Sequence, residues 1–253
     1  MTFAFLRPAA ALAVFVLASG TAEAAKHPDA EGPDITGVYW IKEYAPRIMT
    51  SGGGEPPWTA EARAQAEANA AGVAANTLND PARGLCTPDG VPRALQSPYP
   101  FEIVQTPGQV HLLYEINHII RLVRLGAELP PEEELNYLPT YSGTSIGQWE
   151  GDTLVVTTAG FKPGLAGGMD TQVTYLDNSG GPHTYRLRTE ERYRMIGDNE
   201  LEVVVRIEDP GVFTEPFEAR YVYDKRPDIR IMDYNCGEPH RDISGVPGVQ
   251  PRQ

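Results

Sequence analysis

The sequence is short of positive charge. Its 253 residues include 21 Lys or Arg against 34 Asp or Glu, which gives a formal net charge of −13 at pH 7. A chain with this balance repels the phosphates of nucleic acids and the head groups of anionic lipids. We therefore expect no nucleic-acid partner.

Long apolar runs are also scarce. The longest covers residues 9–18, well short of the roughly 20 residues that a helix needs to cross a bilayer. Arg7 precedes this run and Ala22-Glu23-Ala24 follows it, an order typical of a secretory signal peptide. The sequence predicts a signal peptide over residues 1–24, a periplasmic or secreted mature protein, and no membrane insertion after the signal is removed.

Cysteine is nearly absent, with Cys86 and Cys236 as the two residues of this type. In the oxidising compartment that the signal peptide implies, an even number of cysteines favours a disulfide. We predict a Cys86–Cys236 bridge; the alternative is two free thiols.

Motifs that fix a reaction are missing as well. The H-E-x-x-H pattern of zinc proteases does not occur. A metal site could still be assembled from histidines and a carboxylate distant in sequence. The residues considered for it are His118, His183, His240 and either Glu115 or Glu238. Nothing in their spacing brings them together, so we expect no metal and no cofactor.

Turn-forming residues are abundant, with 25 Gly and 23 Pro, and they leave room for one helix, at residues 58–71. Elsewhere, turn signals such as Pro107-Gly108 and Gly151-Asp152 separate short runs rich in alternating apolar residues. The predicted strands are 36–41, 101–106, 110–115, 116–125, 147–150, 153–158, 184–195, 201–208, 217–224 and 229–236.

This pattern predicts an all-β, mainly antiparallel fold of about nine or ten strands, with one N-terminal helix and long loops. The sheet should form a lipocalin-like barrel or a β-sandwich. The predicted organisation is a flexible leader over 25–34, a single β domain over 35–240 and a loose C-terminal tail over 241–253. The loop over 79–100 is long, and loops of this length are commonly functional.

Two strands have informative faces. In residues 184–195, one face carries Leu187, Glu191 and Tyr193, and the other is almost wholly charged, which predicts a solvated outer face. In residues 111–123, His118 shares the apolar face if the strand is straight. A turn near Ile116 would instead allow Glu115, His118 and Arg121 to converge.

We take Glu115, His118 and Arg121 as candidate catalytic residues that share a partly buried cavity, because a carboxylate beside a histidine suits acid–base chemistry. The alternative is that His118 is a core residue and that the two charged residues face water. Candidate ligand-binding residues are Tyr114, Tyr141, Trp149 and His183. The alternatives are that the aromatic residues only pack the β core and that His183 is a turn residue.

Several segments resemble a family of uncharacterised secreted bacterial proteins. They include Cys-Thr-Pro-Asp-Gly-Val-Pro-Arg at 86–93 and Gly-Gln-Trp-Glu-Gly-Asp-Thr-Leu-Val-Val at 147–156. The others lie at 102–108, 114–118, 181–184, 191–193, 208–210 and 234–236. The resemblance spans about residues 35–240. It implies no activity, because no reaction is established for that family.

Three functions fit these observations. The first is an exported β-barrel protein whose interior binds a small, partly apolar molecule. The second is a periplasmic hydrolase or lyase that uses the Glu115–His118 pair in the barrel, with Arg121 or Tyr141 holding an oxyanion. The third is an envelope accessory protein without a pocket. The sequence specifies neither the ligand nor the oligomeric state.

Overall fold

A computed structural model describes residues 32–162, 174–234 and 236. The predicted signal peptide over 1–24, most of the leader over 25–34, and the tail over 241–253 lie outside the described residues. No helix within the described ranges is both long enough and apolar enough to cross a bilayer.

Nine strands of the described chain close into a barrel in sequence order. They are β1 (Gly37–Ile41), β2 (Phe101–Thr106), β3 (Gln109–Tyr114), β4 (Ile120–Leu125), β5 (Thr144–Glu150), β6 (Thr153–Ala159), β7 (Arg188–Gly197), β8 (Glu200–Glu208) and β9 (Phe217–Lys225). Strand β9 pairs with β1 and closes the ring. The all-β prediction is confirmed, and of the two predicted architectures the barrel is the one found.

Neighbouring strands pair antiparallel except for β4 and β5, which run parallel with Val123 opposite Ser145. A parallel pair cannot be joined by a tight turn. Residues 126–143, which connect β4 to β5 in sequence, therefore return along the barrel, and they contain a short helix over Glu132–Tyr137. The sequence did not predict this crossover.

The described helices are α1 (Ala60–Ala74), α2 (Pro81–Gly84) and α3 (Glu132–Tyr137), with 3₁₀ turns at Arg93–Gln96 and Ile116–His118. Helix α1 corresponds to the predicted helix and begins after Thr59, whose side chain accepts a hydrogen bond from Ala62 N at 3.2 Å. The prediction of a single helix is wrong. Helix α3 starts after Pro131 and places three glutamates in its first turn, where the helix dipole favours negative charge.

The predicted strand over 229–236 is also wrong, because residues 226–234 pair with no strand. We call the described residues of 226–236 the C-terminal strap. It starts where Arg226 N donates to Val38 O in β1, at 2.7 Å, and it ends at Cys236, which is disulfide-bonded to Cys86. The predicted disulfide is confirmed, with an S–S distance of 2.11 Å.

The barrel interior holds one contiguous core of buried side chains. In β8, for example, Leu201, Val203, Val205 and Ile207 are fully buried and alternate with polar residues that face outward. Burial of each such side chain contributes roughly 1.5–3 kcal/mol. The charged outer face predicted for the strand now defined as β7 is confirmed.

The two ends of the barrel differ. At the lower end, which carries the β2–β3 turn, Ile35 is fully buried, and its N–H donates to Gln105 Oε1 at 2.7 Å. At the upper end, residues 42–100, 115–119, 209–216 and the described part of 160–187 connect strands. The long segments of this set bring together the polar residues described next.

Candidate functional site

A cleft of about 340 Å³ opens at the upper end, between the 79–100 loop and the C-terminal strap. Its walls include three tyrosines, Tyr44, Tyr99 and Tyr234, together with Ile116 and Pro98. Its polar lining residues, apart from the tyrosines, are Arg83, Asp89, Arg93, Ser97, Asn117 and Asn178. Largely apolar walls with a few polar groups are typical of small-molecule sites.

A buried ion network supports this cleft. The Arg93 guanidinium, 3% exposed, donates to both Asp80 oxygens at 3.0 and 2.8 Å and lies 2.9 Å from Asp89 Oδ1. Burial opposes the charge on Arg93, but Asp89 and Asp80 outweigh it and raise the Arg93 pKa. Burial raises the pKa of Asp89, and Arg93 only partly offsets this effect. Since these groups satisfy one another, Arg93 holds the loop in place.

The backbone around the cleft is strained. Cys86, Asn117 and His118 have φ of 58°, 50° and 49°, in the left-handed region that residues other than glycine seldom occupy. Each such residue costs about 1–2 kcal/mol unless local bonds compensate. Strained residues of this kind cluster at functional sites.

Asn117 is the most informative of the three. Its Nδ2 donates to Thr87 O at 3.1 Å and to Asp89 Oδ2 at 3.2 Å. Its Oδ1 is buried and accepts no hydrogen bond from the described part of the protein. A buried acceptor without a partner costs about 1–3 kcal/mol, which a donor on a bound molecule would offset.

The strap forms one wall of the cleft through Tyr234 and Cys236. The Tyr234 ring meets Tyr99 edge-on, with 5.1 Å between the ring centroids. Nearby, Met232 N donates to Glu115 Oε2 at 2.8 Å. These contacts and the disulfide fix the position of the wall.

The structure does not bring Glu115, His118 and Arg121 into one cavity. Glu115 binds the strap, His118 is exposed, and Arg121 is buried inside the barrel. The turn proposed near Ile116 does occur, but it changes which residues face inward. Even-numbered residues such as Leu112 face inward before the turn, whereas Arg121 and Val123 do so after it. The alternative of a straight strand with one continuous apolar face therefore does not hold, since Ile120 is 71% exposed.

Inside the barrel, Arg121 forms a bidentate ion pair with Glu191, in which Nη1 donates to Oε2 at 2.5 Å and Nη2 donates to Oε1 at 2.7 Å. Its remaining donors reach Ser145 Oγ at 3.0 Å and Thr158 Oγ1 at 2.6 Å. Tyr193 OH donates to Glu191 Oε2 at 2.6 Å. Burial opposes the charge on Arg121, but Glu191 outweighs it and raises the Arg121 pKa. The pair is closed to solvent and saturated, which makes it structural.

Ser145 also belongs to a G-x-S-x-G pattern that runs from Gly143 to Gly147. In hydrolases this pattern places a serine on a sharp turn between a strand and a helix. Here Ser145 lies within β5, is buried, and shares hydrogen bonds with Arg121 and Thr158. No histidine is among its hydrogen-bond partners in the described structure, so the geometry does not fit a catalytic nucleophile.

The predicted ligand-binding residues lie apart from one another, and none of the four lines the cleft. Tyr114 belongs to the buried core, where burial raises its pKa to about 12. Trp149 is half-buried at the lower end and packs against the core. Tyr141 is half-buried, with Lys162 Nζ 4.5 Å from its ring centroid.

His183, the fourth predicted ligand-binding residue, is buried, and each of its ring nitrogens lies within hydrogen-bonding distance of a neighbouring oxygen. Nε2 lies 2.7 Å from Thr174 Oγ1, and Nδ1 lies 3.1 Å from Thr184 O. Burial lowers its pKa, although Thr184 and Asp209 act in the opposite direction. Thr174 Oγ1 also lies 2.9 Å from Lys162 O, and its single proton serves one of the two partners. The neutral form of His183 has Nδ1 donating to Thr184 O and Nε2 accepting that proton from Thr174. These contacts make His183 a satisfied core residue.

The described residues contain no group of three metal-ligating side chains. His240 and Glu238, considered for such a site, lie outside the described residues.

Sequence reasoning missed Arg93, Asn117, Tyr99 and Tyr234 as members of a site. One available signal was the 79–100 loop itself, whose length predicted a function and which supplies Arg93 and Tyr99. No protein-family model matches the sequence, and no curated protein sequence matches it. The cleft and its chemistry therefore carry the functional argument.

Proposed function

We propose that this is an exported protein that binds a small, partly apolar molecule in the cleft at the upper end of its barrel. The observation that carries the proposal is Asn117, a strained residue that lines the cleft and has a buried acceptor without a partner. The tyrosine walls add flat apolar surface. A ligand with a ring and one hydrogen-bond donor suits both features.

The charges around the cleft favour an uncharged ligand. Arg83 and Arg93 supply two positive charges, and Asp80 and Asp89 supply two negative charges within the same network. A charged ligand would leave this partly buried group unbalanced, which costs free energy.

The cleft also replaces the barrel interior as the proposed site. Inward-facing side chains of the described strands form one packed core, and the Arg121–Glu191 pair is saturated. The enzyme alternative loses its geometric basis, since His118 is exposed and Glu115 is hydrogen-bonded to the strap.

Export is part of the proposal and rests on the signal-peptide pattern of residues 1–24 together with the disulfide. The motifs at 86–93 and 147–156 support membership of the family of uncharacterised secreted bacterial proteins.

The test uses N-phenyl-1-naphthylamine, an uncharged amine that carries a phenyl and a naphthyl group on one N–H. Its fluorescence rises in apolar sites. We expect saturable binding to the purified oxidised protein. Tyr99→Ala should weaken it roughly 2- to 12-fold, the equivalent of one aromatic contact of about 0.5–1.5 kcal/mol. Asn117→Gly, which tolerates the left-handed backbone, should also weaken it by removing the acceptor.

The matched control is Tyr137→Ala, which removes a tyrosine that is 82% exposed and does not line the cleft. It should leave the affinity unchanged. Absence of saturable binding would favour the accessory protein without a pocket. Equal affinity in all three variants and the parent protein would place the dye outside the cleft and overturn the assignment of the site.

A further inference from the structure

The C-terminal strap is weakly attached along its course. It leaves β9 at the lower end and crosses the outside of the barrel to reach Glu115 and Tyr99 at the upper end. Among the described residues, the backbone N–H hydrogen bonds of the strap run from Arg226 to Val38 O, from Ile229 to Arg226 O, and from Met232 to Glu115 Oε2. It adds no strand to the sheet, so the barrel does not depend on it for closure.

Among the described residues, three main contacts hold the strap at the cleft. Two are noncovalent: the Met232–Glu115 hydrogen bond and the edge-on contact between Tyr234 and Tyr99. The third is the Cys86–Cys236 disulfide. Without the covalent link, one hydrogen bond and one ring contact would have to offset the conformational entropy of the whole segment.

The disulfide is also accessible. Cys86 is exposed, and its neighbour Leu85 is 60% exposed, so a thiolate can approach the bond from solvent. Exposed disulfides are the ones that exchange most readily.

We propose that reduction of the Cys86–Cys236 disulfide releases the strap and removes one wall of the cleft, so that only the oxidised protein binds its ligand. This inference rests on the proposed function of the cleft. It concerns the same site and adds its regulation.

The chemical step is a thiol–disulfide exchange with a dithiol. The S–S bond accepts two electrons, and Cys86 and Cys236 each gain a proton. The dithiol loses two electrons and two protons and becomes a disulfide. In the reverse direction, an oxidising compartment assembles the cleft. The newly made chain would then bind its ligand only after export.

The first experiment measures hydrogen exchange on the folded protein before and after treatment with dithiothreitol. On reduction, we expect the Met232 amide to exchange at least tenfold faster, because its partner Glu115 no longer holds it. Amides of β8 such as Val203, which is fully buried in the core, should be unchanged.

The second experiment repeats the N-phenyl-1-naphthylamine titration. Reduction should weaken binding at least tenfold, and the double variant Cys86→Ser/Cys236→Ser should bind equally weakly with or without dithiothreitol. The variant also controls for effects of the reductant on the dye.

The outcomes separate the two proposals. If the oxidised protein binds and the verified reduced protein binds equally well, the redox inference is overturned and the proposed function stands. If the oxidised protein does not bind, the proposed function fails together with the regulation of binding, and Met232 exchange still decides whether the strap is released. Faster exchange throughout β8 on reduction would overturn a local release, because it would mean that the barrel itself opens.

Discussion

Removing the charge of Glu191 should destabilise the barrel strongly. Its carboxylate is fully buried and binds Arg121 at 2.5 and 2.7 Å, and the Arg121 side chain is 1% exposed. Tyr193 OH donates to Glu191 Oε2 and Thr189 Oγ1 donates to Oε1, so Glu191→Gln keeps an acceptor for one of them and loses the other acceptor together with the counter-charge. Breaking a buried ion pair on one side costs about 3–5 kcal/mol.

The second half of the prediction concerns the double variant. Arg121→Met alone leaves the Glu191 carboxylate unpaired and should cost a similar amount. Arg121→Met/Glu191→Gln removes both charges and keeps a hydrogen-bond acceptor inside the barrel. It should therefore cost less than either single change, since a buried pair contributes little beyond a neutral replacement.

Urea unfolding of the oxidised protein, followed by tryptophan fluorescence, measures these differences. With a slope of about 2 kcal/mol per M urea, the Glu191→Gln midpoint should fall by roughly 1.5–2.5 M. Glu150→Gln is the matched control, because it removes a carboxylate paired with Arg192 on the outer surface. It should leave the midpoint unchanged within error. Additive costs in the double variant would refute the reasoning, as would a Glu191→Gln midpoint equal to that of the control.

Three further changes test other parts of the structure by urea unfolding. Gly90→Ala should lower the free energy of unfolding by several kcal/mol more than Gly151→Ala. Both glycines have a positive φ, but of the two only Gly90 would place a Cβ against a backbone oxygen, Tyr141 O, at 2.5 Å. Equal costs would contradict this packing. Burial lowers the pKa of His183 below 6.5 in the folded state. As the pH drops below about 6.5, the unfolded state therefore binds a proton before the folded state does, and the free energy of unfolding should fall. This part of the pH dependence should be lost in His183→Asn and kept in His118→Asn, and identical profiles would disprove it. Ile35→Ala should lower the free energy of unfolding by about 2–5 kcal/mol, because it truncates a buried side chain. A change near zero would show that Ile35 does not pack into the lower end of the barrel.

Local turn chemistry explains why much of the barrel was predictable. Pro107-Gly108 and Gly151-Asp152 mark hairpins that the structure contains, joining β2 to β3 and β5 to β6. The alternation of inward-facing and outward-facing residues along β7 correctly placed Glu191 on the inner face, opposite the charged outer face. Both signals act within a few residues, which is the range over which a single sequence is informative.

The errors arise where structure depends on distant partners. Two left-handed residues, Asn117 and His118, shift the inward-facing positions between β3 and β4, and so the role of Arg121 was misjudged. Its partner Glu191 lies 70 residues away in sequence. The cleft likewise combines the 79–100 loop with Tyr234, and no local pattern shows that these segments meet.

The closure of the barrel has a consequence for how the chain folds. Strand β1 is the first in sequence, yet it pairs with β9 as well as β2, with Tyr39 opposite both Lys225 and Phe101. The ring therefore cannot close until nearly the whole domain has been synthesised. Until then, β1 and the most recently formed strand, finally β9, present unpaired edges that can recruit strands from other molecules. Because pairing across such a large sequence separation is slow, the time spent with open edges should set the risk of aggregation for this protein.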